Sequence, residues 1–271
     1  MAVNLADTEP VSTSITTIAF VREPSDALMR CELTHLDRVA IQVALARTQH
    51  ERYVGALSEL GLKIEWLPPL PQHPDAVFVE DMAVILPEVA VITRSGAESR
   101  RGEAASVAEA LSAYRPLRSI DPPGCLDGGD VLHIGQTLFV GCAGRTNPEG
   151  IAALENAVSE FGYRVQAVNV NDCLHLKSAC SFIPPDTVVA NPSNVGRDAF
   201  SGLRVIFVDS RESTAANTLT VGGVTLVHAA CPLTEEKLRR AGVKTQSVDV
   251  SELQKAEAGL TCMSLIVDAV R

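Results

Sequence analysis

Apolar residues come in short runs separated by amphipathic stretches, the alternation of strands and helices that marks an α/β chain. Ile15–Val21 (ITTIAFV) is the first strand signal. Helical spacing over residues 36–60 ends at Gly61, a helix stop, and residues 64–67 form a second short strand before Pro68, Pro69 and Pro71. The pattern predicts strands over 76–86 and 89–93 around a turn at Pro87-Glu88. An amphipathic helix over 103–114 follows, which Pro116 cannot continue. Val131–Ile134 pairs with 137–140 across Gly135-Gln136, and a helix over 149–161 leads into strand Arg164–Asn169. Strands over 203–208, 218–221 and 224–227, a helix over 235–241 and a strand over 264–270 complete the pattern.

A repeat lies beneath this alternation. Asp81, Asp127, His175, Asn217 and Cys262 each stand at, or a few residues before, the start of an apolar run, with successive gaps of 46, 48, 42 and 45 residues. A period of that length signals a propeller or array, and each unit holds a helix, so the units are not all-β blades. The simplest closure is five strand–strand–helix–strand units around a pseudo-fivefold axis: a five-bladed α/β propeller, with residues 1–271 as one domain. That geometry aims the polar residue of every unit at a central channel. Chance alternation in an ordinary α/β chain is the competing explanation at this level.

Composition narrows the function classes. With 271 residues and 46% hydrophobic content, the chain can bury a large core. A net charge of −10 repels phosphate backbones, so no nucleic acid is expected as a partner, and the field weakly favours a cationic ligand. No apolar run approaches the ~20 residues of a membrane helix. Residues 1–14 are polar and acidic and do not read as a signal peptide. A soluble, cytoplasmic protein is expected. The seven cysteines are odd in number and contain no CxxC pair, which argues for free thiols rather than a disulfide framework or zinc ribbon.

Five constellations carry candidate chemistry. Asp75 with Phe78-Val79-Glu80-Asp81 offers carboxylates for a cation, with adjacent ones facing opposite sides of a strand; a solvated strand end is the plain alternative. Asp127-Gly128-Gly129-Asp130 pairs two aspartates with glycines that allow close backbone approach, or forms a structural Asx turn. His175, followed by Lys177 and Ser178, is either a satisfied structural histidine or an acid/base group. Cys262 is either core filler or a nucleophile. An unperturbed thiol is only ~3% ionised at pH 7, and a bound cation would raise that fraction. Arg100, Arg101 and Arg145 supply forks for a carboxylate, with Arg101 as the ordinary surface member.

Taken together, the runs over 74–81, 92–101, 126–131, 145–147, 174–178 and 260–264 resemble dimethylarginine dimethylaminohydrolases of the pentein superfamily, over roughly residues 15 to 270. The resemblance implies a five-bladed α/β propeller. It implies hydrolysis of Nω-methylated arginine to citrulline and dimethylamine or methylamine through a covalent S-alkylthiouronium. By this resemblance Cys262 is the nucleophile, His175 the acid/base and Asp127 the carboxylate that orients it. Glu80 and Asp81 meet the guanidinium, Arg100 and Arg145 the α-carboxylate, and Asp75 the α-amino group. Phe78 and Glu257 border the substrate, and Leu28 belongs to a mobile lid. No cofactor or metal is required, although Cys262, His175 and Glu80 are ligand types that zinc could occupy as an inhibitor. The partner is a small cationic amino acid, and the chain a monomer or homodimer. Arginine deiminase, amidinotransferase and a non-enzymatic binding protein on the same fold are the alternatives. Segments 256–259 and 22–35 depart from the family pattern, which bears on substrate choice more than on reaction class.

Overall fold

The computed structural model describes residues 15–142 and 144–270; the N-terminal segment read above for signal-peptide character lies outside them. In chain order the elements are β1 (Ile15–Val21), α1 (Val43–Glu59), β2 (Lys63–Trp66), β3 (Ala83–Ile85), β4 (Ala90–Ile92), α2 (Ala104–Leu111), β5 (Leu117–Ser119), β6 (Val131–Ile134), β7 (Thr137–Cys142), α3 (Pro148–Val158) and β8 (Arg164–Asn169). The second half continues with α4 (Leu176–Ala179), β9 (Cys180–Ile183), β10 (Thr187–Ala190), β11 (Arg204–Phe207), β12 (Leu219–Val221), β13 (Val224–His228), α5 (Pro232–Arg240), β14 (Thr245–Val248), α6 (Ser251–Gln254) and β15 (Leu265–Val270).

The strands form five three-stranded sheets: β15-β1-β2, β3-β4-β5, β6-β7-β8, β9-β10-β11 and β12-β13-β14. In every sheet the first strand runs antiparallel to the second and the second parallel to the third. A parallel pair needs a crossover connection; α1, α2, α3 and α5 supply it in four blades, and a 3-10 turn at Arg197–Phe200 in the blade of β9. The last strand pairs with the first, Phe20 opposite Leu265, so the chain's two ends share one blade and close the ring. The inner strands β15 and β3, β6 and β9, and β9 and β12 abut one another. This is the expected five-bladed α/β propeller. Its core is divided among five apolar clusters rather than gathered into one.

Two segments depart from the predicted elements. Helix was expected from residue 36, but α1 starts at Val43. The backbone N–H groups of Thr34, His35 and Leu36 are taken by the Glu257 carboxylate, and that of Gln42 by Glu252, so these residues are bonded outside any helix. Residues 76–82 were expected as strand. They bend instead, with a 3-10 turn at Val79–Met82, around the buried Arg100 guanidinium, which donates to the carbonyls of Asp75 and Phe78 and to the carboxylates of Asp81 and Glu103. Strands β5, β10 and β14 were not foreseen.

Candidate active site

The blade openings place Asp81, His175 and Cys262 in the wall of one cavity, with Asp127 directly behind the histidine. The cavity has about 20 Å³ of free volume, room for little more than one water. Its wall also carries Asp75, Phe78, Arg100, Arg145 and Glu257.

His175 caps the start of α4 with its ring buried. Nε2 lies 3.1 Å from Asp127 Oδ2, and Nδ1 faces Asp81 Oδ1 at 3.7 Å. Asp127 is itself fixed by the N–H of Gly96, 3.1 Å from Oδ1. Asp130 accepts the N–H of Leu176 and the hydroxyl of Thr146, and so holds the backbone beside the histidine. The paired glycines have a steric purpose: a Cβ at Gly129 would lie 2.6 Å from Asp81 Oδ1 and 2.7 Å from His175 Nδ1. Burial alone would lower the pKa of His175, but Asp81, Asp130 and Asp127 outweigh it and raise the imidazole to about 9.

Cys262 sits in the turn before β15, its sulfur accepting the N–H of Gly259 at 3.3 Å. Burial pushes its thiol up to about 12, and Glu80 and Asp81 add to the rise. The Gly259 N–H and the Lys177 ammonium offset this only in part. Without a ligand the site therefore holds a thiol beside an imidazolium.

No family profile matches the chain. It is 40% identical over 249 residues to the N(G),N(G)-dimethylarginine dimethylaminohydrolase of Streptomyces coelicolor, an alignment spanning 91% of this chain and 95% of that one. The chain belongs to the dimethylarginine dimethylaminohydrolase family. Two solved structures of dimethylarginine dimethylaminohydrolase superpose closely, each 32% identical and covering 92% of this chain and 98% of the other. One, from Pseudomonas aeruginosa, is a cysteine-to-serine mutant complexed with citrulline, at a TM-score of 0.88. The other is a histidine-to-glycine adduct with S-methyl-L-thiocitrulline, at 0.87.

Within this dimethylarginine dimethylaminohydrolase fold the acidic pair divides its duties. Asp81 faces the cavity. Burial would raise its pKa, but His175 and Arg100 hold the carboxyl down at about 2. Glu80 turns the other way: Lys177 Nζ is 2.5 Å from Oε1 and the Thr261 hydroxyl 2.6 Å from Oε2, and Glu80 lines a separate cavity with Lys177. Both carboxylates were expected at the guanidinium; of the two, Asp81 lines this cavity. Among the described residues, the side-chain atoms gathered within 4.8 Å of one another that could hold a metal ion belong to Asp81, Asp127 and His175, a set that shares His175 with the expected zinc ligands Cys262, His175 and Glu80. Arg100 reaches the wall but is spent internally. It donates to Asp81 at 2.5 Å, to Glu103 and to the carbonyls of Asp75 and Phe78, which leaves Arg145 as the better candidate for a carboxylate.

The cavity wall also holds Asp75, Phe78 and part-exposed Arg145, which donates to the Thr34 hydroxyl. Burial raises the Asp75 carboxyl to about 6, partly offset by Arg100 and the Glu32 N–H. Glu257 has a left-handed backbone (φ 58°) and a carboxylate that accepts the N–H groups of Thr34, His35 and Leu36. It thus fastens the loop that borders the cavity. Leu28, assigned to the lid, is fully buried in a core cluster and does not line the cavity. Arg101 pairs with Glu98 at the surface, as expected, and Ser178 lines a neighbouring groove. Glu32 and Leu174 line the cavity without having been foreseen; Leu174 adjoins His175 in sequence, whereas nothing in the sequence marks Glu32.

Proposed function

We propose that this cavity hydrolyses Nω-methylated arginines to citrulline, releasing dimethylamine from asymmetric dimethylarginine and methylamine from monomethylarginine. One observation carries the reading: a thiol, an imidazolium and a carboxylate share the wall of one buried cavity with Asp75 and Arg145. That polarity fits an α-amino acid with a cationic side chain. Arg145 receives the α-carboxylate, Asp75 the α-amino group, and Asp81 the guanidinium; Phe78 packs beside the aliphatic stem. Residues from several blades meet here, in keeping with 1–271 acting as one catalytic unit.

A guanidinium is a poor electrophile, so fixing it against the sulfur supplies much of the catalysis. Glu80 and Asp81 raise the Cys262 thiol, and a guanidinium beside Asp81 offsets part of that field, so the thiol proton leaves to solvent and the substrate favours the thiolate it needs. The sulfur adds to the central carbon. As the C–N bond breaks, His175 gives its proton to the departing amine, a step typically worth ~10²–10⁴-fold. The S-alkylthiouronium remains, and His175 is neutral. It then takes a proton from water, the resulting hydroxide adds to the same carbon, and the C–S bond breaks with its electron pair returning to sulfur, while the added hydroxyl loses its proton to solvent as the urea carbonyl of citrulline forms. Asp127 holds the ring throughout. All the groups used belong to the chain, and no cofactor enters the scheme. The citrulline complex and the thiocitrulline adduct of the relatives support this order of events.

The loop fastened by Glu257 borders the cavity, and in this reading it is the segment that yields as the amino acid enters. Among the described residues no helix is long and apolar enough to cross a membrane, and a free amino acid as substrate suits a cytoplasmic site. The test is Cys262→Ser. It should abolish amine release while still binding citrulline; undiminished release would overturn the scheme. Assaying arginine alongside the methylated forms, with ammonia and methylamines measured separately, distinguishes a deiminase.

A further inference from the structure

In the scheme above, the blade of β12–β14 supplies no reacting group. Yet it carries Asn217 at the position where its neighbours carry Asp81, Asp127, His175 and Cys262. The side chain is buried, 6% exposed. Nδ2 donates to the carbonyl of Lys177 at 2.8 Å and to Thr261 Oγ1 at 3.0 Å, and Oδ1 accepts the N–H of Thr261 at 3.0 Å. Lys177 lies two residues after His175, and Thr261 immediately precedes Cys262. One amide therefore ties the histidine segment to the nucleophile segment. The Thr261 hydroxyl continues to Glu80, whose other oxygen meets the Lys177 ammonium, so the two segments are also joined through that carboxylate. Gly259, donor to the Cys262 sulfur, packs against the same amide: a Cβ there would fall 2.2 Å from Asn217 Cγ.

We propose that Asn217 is a positioning residue that sets the placement of the Cys262 sulfur relative to the His175 ring without touching substrate. The proposal rests on the hydrolase reading. The chemistry favours an amide here: it must donate twice and accept once in a buried place, and neither a carboxylate nor a hydroxyl can do both. Asn217 does not line the substrate cavity, so its loss should leave ligand binding in place while degrading attack geometry.

The test compares Asn217→Ala and Asn217→Asp with the wild type in steady-state release of amine from methylated arginine and in calorimetric titration with citrulline. In both variants kcat should fall about 10²-fold, the cost of an ångström-scale misplacement, while citrulline affinity changes by less than about threefold at unchanged stoichiometry. A general folding defect would instead lower kcat and citrulline stoichiometry together, and that result overturns the proposal, as does a folded variant with wild-type kcat. If neither variant folds, Thr261→Val takes their place: it removes the Nδ2 partner and keeps Asn217, and unchanged kcat there overturns the role. A wild-type protein that releases no amine sinks the hydrolase reading itself, whereas an active wild type with equally active variants sinks only the role of Asn217.

Discussion

Asp127→Asn probes the histidine with little change in shape. In the native site one oxygen of Asp127 accepts the Gly96 N–H and the other meets His175 Nε2 at 3.1 Å. An asparagine that keeps its oxygen on Gly96 must point its NH₂ at Nε2. The ring accepts there only when neutral, which shifts the balance towards the neutral form. The lost charge-assisted hydrogen bond is worth about 1.5–3 kcal/mol. At 1.36 kcal/mol per pH unit, that moves His175 from about 9 to between about 7 and about 8. The alkaline limb of the kcat profile should therefore shift down by about one to two pH units, so that kcat falls by about 10–10²-fold near pH 9, where the wild-type ring still holds its proton in about half of the molecules, and changes little near pH 6. Stability must follow the same titration. A histidine raised above its ordinary 6.5 stabilises the fold fully below that value, and the contribution is lost as pH rises through about 9. Denaturant titrations should find the wild type ahead by about 1.5–3 kcal/mol near pH 6, narrowing by about that same amount towards zero near pH 10, where the ring is neutral in both proteins. An alkaline limb that stays in place, with a stability gap independent of pH, would refute the assignment of an imidazolium paired with Asp127.

Two further substitutions separate binding from scaffolding. Glu257→Gln removes the charged acceptor from three loop N–H groups; with about 1.5–3 kcal/mol at stake, KM should rise about tenfold or more while kcat holds, and an unchanged KM would show that this anchor does not govern the loop. Arg100→Lys leaves Asp81 and Glu103 buried without their fork; chemical denaturation should show a loss of about 3–5 kcal/mol, and a loss below about 1 kcal/mol would contradict the structural role given to Arg100.

How legible the fold was follows from where its hydrogen bonds go. Strands with side-chain alternation, such as β8 (RVQAVN), or a run of apolar and β-branched residues, such as β1 (ITTIAFV), declared themselves in the sequence. The missed β5 is three residues, Leu-Arg-Ser, held by parallel pairing to β4 alone, and backbone pairing of that kind leaves no mark on residue choice. The two misread segments, 36–42 and 76–82, fail for a related reason. Their apolar spacing suited a helix and a strand, but Glu257 and Glu252 capture the N–H groups of the first, and Arg100 captures carbonyls of the second from 20-odd residues away. Local propensity is a weak prior against such tertiary partners. The site shows the same limit. Adjacency in a strand suggested opposed facing for Glu80 and Asp81, but they lie in a 3-10 turn, and which of the two faces the cavity goes with Lys177, nearly 100 residues later.

The acidity of the chain acquires a purpose only in three dimensions. Around the cavity lie the buried carboxyl groups of Asp75, Glu80, Asp81, Glu103, Asp127 and Asp130, against the cations Arg22, Arg100, Arg145, Lys177 and His175. The imbalance is felt. Burial raises Asp75 and Asp130 to about 6, and raises Glu80 and Glu103 as well, each against the partial relief of a nearby cation. Such groups are held short of a counter-charge, and a buried charge lacking a partner is costly. A guanidinium entering beside Asp81 supplies part of what is missing and, by the same field, lowers the barrier to ionising Cys262. A neutral isostere of the substrate would do neither. Selection for a cation and activation of the nucleophile are therefore one electrostatic effect, and the propeller's contribution is to aim groups from successive blades at the point where that effect acts.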